Sequence, residues 1–228
     1  MAAGRDAKRP FIQVLAGVNG AGKSSVGGSM LRAHGLTWFN PDSFARELMA
    51  RSGASRDIAD GDAWAYGKTQ LEAAIAGGTS FAFETTLGGT TIARLLGEAA
   101  ATHDVFIIFC GLASLQMHLD RVKLRVRAGG HDIPEDKIRE RWDSSRQNLI
   151  ALLPRLAQLQ VFDNSAEVAP GEDVPFPLLV LEMKDGRVVH PGRGDVMALQ
   201  ATPDWAKPIV AAAFRCDGSE TRLNAERR

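Results

Sequence analysis

The chain has 228 residues, enough for one globular domain with a buried core and at most a small addition. Its 27 basic and 27 acidic side chains cancel, so nothing in the overall charge favours a nucleic-acid backbone as partner. Hydrophobic residues make up 45%, yet no run approaches the roughly 18 apolar residues of a membrane span, so neither nucleic acid nor membrane is expected as a partner.

The polar start, Met1 to Pro10, precedes an apolar stretch too short for a signal peptide, and neither end carries a lipidation motif. Cys110 falls in the run Val-Phe-Ile-Ile-Phe-Cys, read as a buried strand. It shares no metal-like spacing with Cys216. A reducing, cytoplasmic location is the simplest expectation.

Along the chain, short apolar runs alternate with longer helical patterns. Strands are predicted at Phe11–Ala16, Thr37–Asn40, Ser80–Glu84, Val105–Gly111 and Leu159–Asp163. Helices are predicted at Lys23–Ala33, Ser43–Ser52, Ala63–Ala76, Thr91–Thr102, Leu115–Ala128 and Glu135–Leu153. This alternation specifies an α/β fold, doubly wound around a mainly parallel five-stranded sheet. Gly35 and Gly77-Gly78 fall where helices should stop, whereas Gly27 and Gly28 weaken the first helix and suggest a close helix–sheet contact. Residues 1–165 thus read as the core and Ala166–Pro177 as a proline-rich, acidic connector. Residues 178–228 read as an appendage packed on the core. Within it, Leu178–Met183 and Arg187–His190 flank Lys-Asp-Gly as a hairpin, Asp204–Phe214 is a last helix, and Asp217–Arg228 is a frayed end.

Gly17-Val-Asn-Gly-Ala-Gly-Lys-Ser matches the Walker A pattern between a strand and a helix. Its glycines let successive backbone N–H groups turn toward phosphate oxygens, and the helix N-terminus adds its positive end. Gly17, Asn19, Gly20, Ala21, Gly22, Lys23, Ser24 and Ser25 are the candidate nucleotide contacts. Lys23 would meet the terminal phosphates, and the Ser24 hydroxyl would ligate Mg²⁺. No guanine-selecting Asn-Lys-x-Asp string is present, so ATP is the expected cofactor.

In such a sheet, ligands bind beyond the carboxyl ends of the strands, where two acids fall. Asp42 follows the second predicted strand and suits a base for an acceptor hydroxyl. It equally suits an N-cap for Ser43–Ser52. Glu84 closes the third and would touch a substrate hydroxyl or support Mg²⁺ through water; the alternative is a carboxylate satisfied by the next turn. The fourth strand ends in Cys110-Gly111 with no acid, leaving the Walker B position empty. Further on, Arg121, Lys123, Arg125, Arg127, Arg139 and Arg141 surround Gly129-Gly130-His131. Such a stretch is either a solvated basic face or a lid, pivoting at the glycines, that closes arginines over a moving phosphoryl group.

Five segments in order carry a family resemblance: the phosphate loop, Asn40-Pro-Asp, Phe83-Glu-Thr-Thr-Leu, Arg125-Val-Arg-Ala-Gly-Gly-His-Asp-Ile-Pro and Phe162-Asp-Asn-Ser. Across residues 11–165 they resemble the zeta-toxin family of P-loop kinases, in its short Gly-Gly-His branch. The resemblance implies transfer of the γ-phosphate of ATP, with Mg²⁺, to a hydroxyl of a UDP-activated amino sugar such as UDP-N-acetylglucosamine. It also implies a separately encoded antitoxin, although no antitoxin-like helical segment precedes Phe11. By resemblance, Lys23, Asp42, Arg125 and Arg141 are catalytic, and Asp42, Glu84, Thr85 and His131 face the substrate. Asp163 and Asn164 would lie near the nucleotide or simply end the last strand. The competing readings are a kinase for another metabolite and a nucleotide-binding switch or degenerate ATPase. An RNA-processing kinase is disfavoured by the neutral charge.

Overall fold

The computed structural model describes residues 9–33, 35–166 and 175–225, with only the backbone for 218–225. Strand β1 (Phe11–Ala16) is buried at five of its six positions, as the middle of a parallel sheet covered on both faces requires. It is flanked by β2 (Phe81–Thr85) and β3 (Asp104–Gly111), and β3 is followed outward by β4 (Gln158–Asp163), all parallel. The hairpin of β5 (Leu178–Lys184) and β6 (Arg187–His190) then joins β4 antiparallel. The six-stranded order is β2-β1-β3-β4-β5-β6.

Among the described residues eight α-helices connect and cover the strands: α1 (Lys23–Ala33), α2 (Pro41–Ser52), α3 (Arg56–Gly77), α4 (Thr90–Ala99), α5 (Leu115–Arg127), α6 (Glu135–Leu152), α7 (Val196–Ala201) and α8 (Lys207–Ala225). The connections leaving β1 and β3 run toward opposite edges of the sheet. The switch point, where such sheets bind ligands, therefore lies at the carboxyl ends of these two strands. The close contact suggested by the glycines of α1 is present. A Cβ on Gly27 would stand 2.5 Å from Leu15, and one on Gly28 2.8 Å from the Trp38 ring. None of the helices described is long and apolar enough to cross a membrane.

Thr37–Asn40 does not form the expected strand. Phe39 alone bridges β2, donating to Ala82 O (2.8 Å) and accepting from Glu84 N (2.9 Å). The chain cannot continue as a strand because Asn40 caps α2, its Oδ1 accepting from Ser43 N, and Pro41 opens the helix. α2 therefore begins two residues earlier than expected. α3 likewise extends seven residues further toward the N-terminus than its apolar pattern indicated.

The carboxyl-terminal segment is continuous with the core. Trp205, Ala206, Ile209, Val210, Ala212 and Ala213 are buried in the same apolar cluster as Phe109, Leu96 and Leu149. Residues 167–174 of the expected connector, residues 1–8 and residues 226–228 lie outside the described part. Asp217 onward, expected to be frayed, continues α8 to Ala225.

Candidate active site

The loop from Gly17 to Gly22 runs directly from β1 into α1. Gly17 has φ +139° and no room for a side chain, since a Cβ there would overlap the carbonyl of Cys110 on β3. The loop closes on itself through Ala21 N to Val18 O (3.1 Å). Gly22 O then accepts from Ser25 N (3.1 Å) and Val26 N (2.9 Å) to start α1. Lys23 is buried, with Nζ 3.5 Å from Val18 O and 3.7 Å from Glu84 Oε1. Beneath the loop, burial pushes the Cys110 thiol up to about 12, so it stays protonated and unreactive.

Glu84, at the end of β2, gathers the donors around it. Its Oε2 accepts from Ser24 Oγ (2.8 Å) and from Asn40 Nδ2 (2.9 Å). The turn after β2 does not claim this carboxylate. Leu87 N and Gly88 N donate instead to the hydroxyls of Thr85 (3.0 Å) and Thr86 (3.4 Å). The acid missing from the end of β3 is thus matched by one from the end of β2. A serine hydroxyl and a carboxylate in contact beside a buried lysine form a hard-oxygen pair of the kind Mg²⁺ accepts, since it retains several waters and shares phosphate oxygens. Among the described residues no group of three or more His, Cys, Asp or Glu could hold a metal by itself.

Asp42 lies in the first turn of α2, and its carboxylate is spared the capping role that Asn40 performs. His131 Nε2 (3.7 Å), Arg56 Nη2 (3.9 Å) and Arg125 Nη1 (4.0 Å) surround it. Burial holds His131 below the usual histidine range; Arg125 and Arg56 push the same way, and Asp42 opposes them.

The helices α5 and α6 deliver their polar groups as stripes at helical spacing. On α5, His118 Nδ1 meets Asn19 O (2.8 Å), Arg121 Nη2 donates to Asn164 O (2.8 Å), and Arg125 reaches His131 O (3.1 Å) and Asp42. On α6, Arg141 donates to Asn19 Oδ1 (2.9 Å), Ser145 to Thr86 O (2.6 Å) and Asn148 to Leu87 O (2.8 Å). The last two hold the turn in which buried Leu87 adopts φ +57°, a strained value for a leucine. Arg141 therefore belongs to the phosphate loop, and Arg125 to Asp42. Arg127 is exposed.

Three hollows meet these residues. A cavity of about 210 Å³ is lined by Phe39, Trp64, Phe83, Thr85, Glu84 and Arg141. An open cleft lined by Arg46, Arg56 and Arg125 adjoins it, and the two share Asn40, Asp42 and His131. A third cleft flanks the other side of the loop, between Gly22, Ser25, Arg121, Asn164 and Phe176. Sequence reasoning missed Arg56, Trp64 and His118. Each acts across a long sequence separation and leaves no local motif.

The sequence model of the family described as zeta toxin matches residues 2–169. No protein of curated function is significantly similar in sequence. Among solved structures, the AvrRxo1-ORF1:ORF2 complex with ATP aligns with a TM-score of 0.60 at 16% identity, over 88% of this chain and 65% of that one. This chain therefore spans just under two thirds of that relative. The structure from the PezAT chromosomal toxin–antitoxin system of Streptococcus pneumoniae aligns with a TM-score of 0.53 at 16% identity, over 97% of this chain and 88% of that one. At these identities the structural likeness is one of fold. The family match spans most of the chain and contains the phosphate loop, Asp42, Glu84 and both arginine-bearing helices: the chain belongs to the zeta-toxin family.

Proposed function

We propose that this protein transfers the γ-phosphate of ATP to a hydroxyl of a small molecule, and that the acceptor is a UDP-activated amino sugar. The observation that carries this reading is the position of Asp42. Its carboxylate is free of the helix cap and borders both the aromatic-lined cavity and the arginine-lined cleft.

In this reading the loop N–H groups and Lys23 hold the donor phosphates, and Ser24 and Glu84 hold Mg²⁺. Bound there, the ion would supply charge neutralisation to the donor phosphates. Asp42 orients the acceptor hydroxyl and takes its proton as the new P–O bond forms and the bond from the γ-phosphorus to the bridging oxygen breaks, with ADP as leaving group. Arg141, held at Asn19, and Arg125, carried by the lid turn, supply positive charge to the transferring group. A cavity of about 210 Å³ with the half-exposed Trp64 indole suits one sugar ring, and the neighbouring arginines suit the diphosphate attached to it. The reading places the enzyme in the cytoplasm, with a separately encoded antitoxin as its protein partner. The PezAT relative is described as a toxin–antitoxin system.

Incubation with γ-labelled ATP, Mg²⁺ and a panel of UDP-sugars, nucleosides and RNA ends tests the proposal. Label is expected on a UDP-amino sugar. Label on a different hydroxyl compound would replace the acceptor and keep the kinase. ATP binding without transfer to any panel member would contradict the kinase assignment.

A further inference from the structure

The end of β3 carries no side chain because another residue fills the space. A Cβ on Gly111 would overlap the ring of Trp205, which comes from the segment between α7 and α8. That indole is 3% exposed and packs along β3 against Phe109, with ring centroids 6.3 Å apart. Its Nε1 donates to Asp163 Oδ2 at 2.6 Å, while Asp163 Oδ1 accepts from Ser165 N at 2.8 Å. One carboxylate oxygen thus holds the turn that presents Asn164, and the other ties Asp163 to the segment before α8.

Asn164 in turn braces the phosphate loop. Its Nδ2 donates to Ala21 O (3.0 Å) and occupies the space that a Cβ on Gly22 would need. Its backbone is fixed by Gly111 O, which accepts from Asn164 N (3.0 Å), and by Arg121, which donates to Asn164 O (2.8 Å). A glycine-rich loop binds phosphate well only if its ordering precedes binding, because ordering its residues on binding costs affinity.

We propose that Trp205, which lies beyond the 2–169 family match, is a positioning residue of the nucleotide site, acting through Asp163 and Asn164 on the Ala21-Gly22 backbone. The indole N–H to carboxylate bond is charge-assisted and partly buried, so its loss leaves an oxygen of Asp163 without its protein partner and releases the turn. The carboxyl-terminal segment is by this account part of the donor site. The proposal rests on the nucleotide reading of Gly17–Ser24 and not on the identity of the acceptor.

Trp205→Phe keeps a ring against Phe109 and Gly111 and removes only the donor. ADP binding by calorimetry on the full chain, with urea unfolding in parallel, compares wild type, Trp205→Phe, Asn164→Ala and the double variant. Trp205→Phe is expected to weaken ADP about tenfold, the order for one charge-assisted bond, with a lowered urea midpoint but a transition as cooperative as wild type, so that the loss is measured on folded protein. The double variant is expected to bind no more weakly than Asn164→Ala alone, because both changes cut one line of contacts. Wild-type ADP affinity in Trp205→Phe, or additive losses in the double variant, would overturn the proposal alone. Failure of the wild type to bind ADP would overturn it together with the kinase reading.

Discussion

Asn19 shows how much a single loop residue can carry. Its carbonyl accepts from His118 on α5 and its side chain from Arg141 on α6, so the loop is pinned on two sides before any ligand arrives. A carbonyl can only accept, so His118 carries its proton on Nδ1 and leaves Nε2 bare. That atom is buried with no hydrogen-bond partner. Burial lowers the His118 pKa from 6.5 to about 4. Between those values the native state binds fewer protons than the unfolded chain, so stability rises with pH across the window and is lost as the pH falls from about 6.5 toward 4. The full contribution is on the order of 3 kcal/mol. Urea unfolding at pH 7 and pH 4.5 is expected to show a smaller acid loss for His118→Gln than for wild type. An identical loss would place the effect elsewhere.

At the scale of elements, α5 and α6 form a helical pair whose connecting turn is shaped by Gly129, at φ +85°, and by Gly130 N donating to Arg125 O (2.9 Å). The pair is fastened to the phosphate loop through His118, near the start of α5, and Arg141, in the second turn of α6. Their tip reaches Asp42 only through longer contacts from Arg125 and His131. In the proposed reading this turn is the pivot of a lid that brings Arg125 to the transferring group. Arg125→Ala is therefore expected to lower turnover by roughly 10–100-fold while leaving ATP affinity nearly unchanged. Parallel losses in turnover and ATP affinity would instead mark Arg125 as a ground-state contact.

For the molecule as a whole, the donor half of the site was legible in the sequence because its backbone demands glycine at fixed spacings. Glu84 was legible as a carboxylate at a strand end, whereas Asp42 was expected after a strand that does not form and stands instead in the first turn of α2. Periodicity does not encode which strands become neighbours. The hairpin at 178–190 was therefore recognisable as a hairpin, but its addition to β4 was not. Thr37–Asn40 misled because its apolar residues outweighed the Asn-Pro signal for a helix start immediately after it. Trp205 and Asp163 meet across 42 residues, so neither carries a local sign of the other.

The account turns on a division of labour between a donor loop and an acceptor-side base. Phosphate transfer and ATP binding by Asp42→Asn test that division directly. The account predicts that transfer to the acceptor falls by about 100-fold or more, the range for a lost general base, while ATP affinity stays within about twofold. Transfer at the wild-type rate, or a loss of ATP binding to match the loss of transfer, would contradict it.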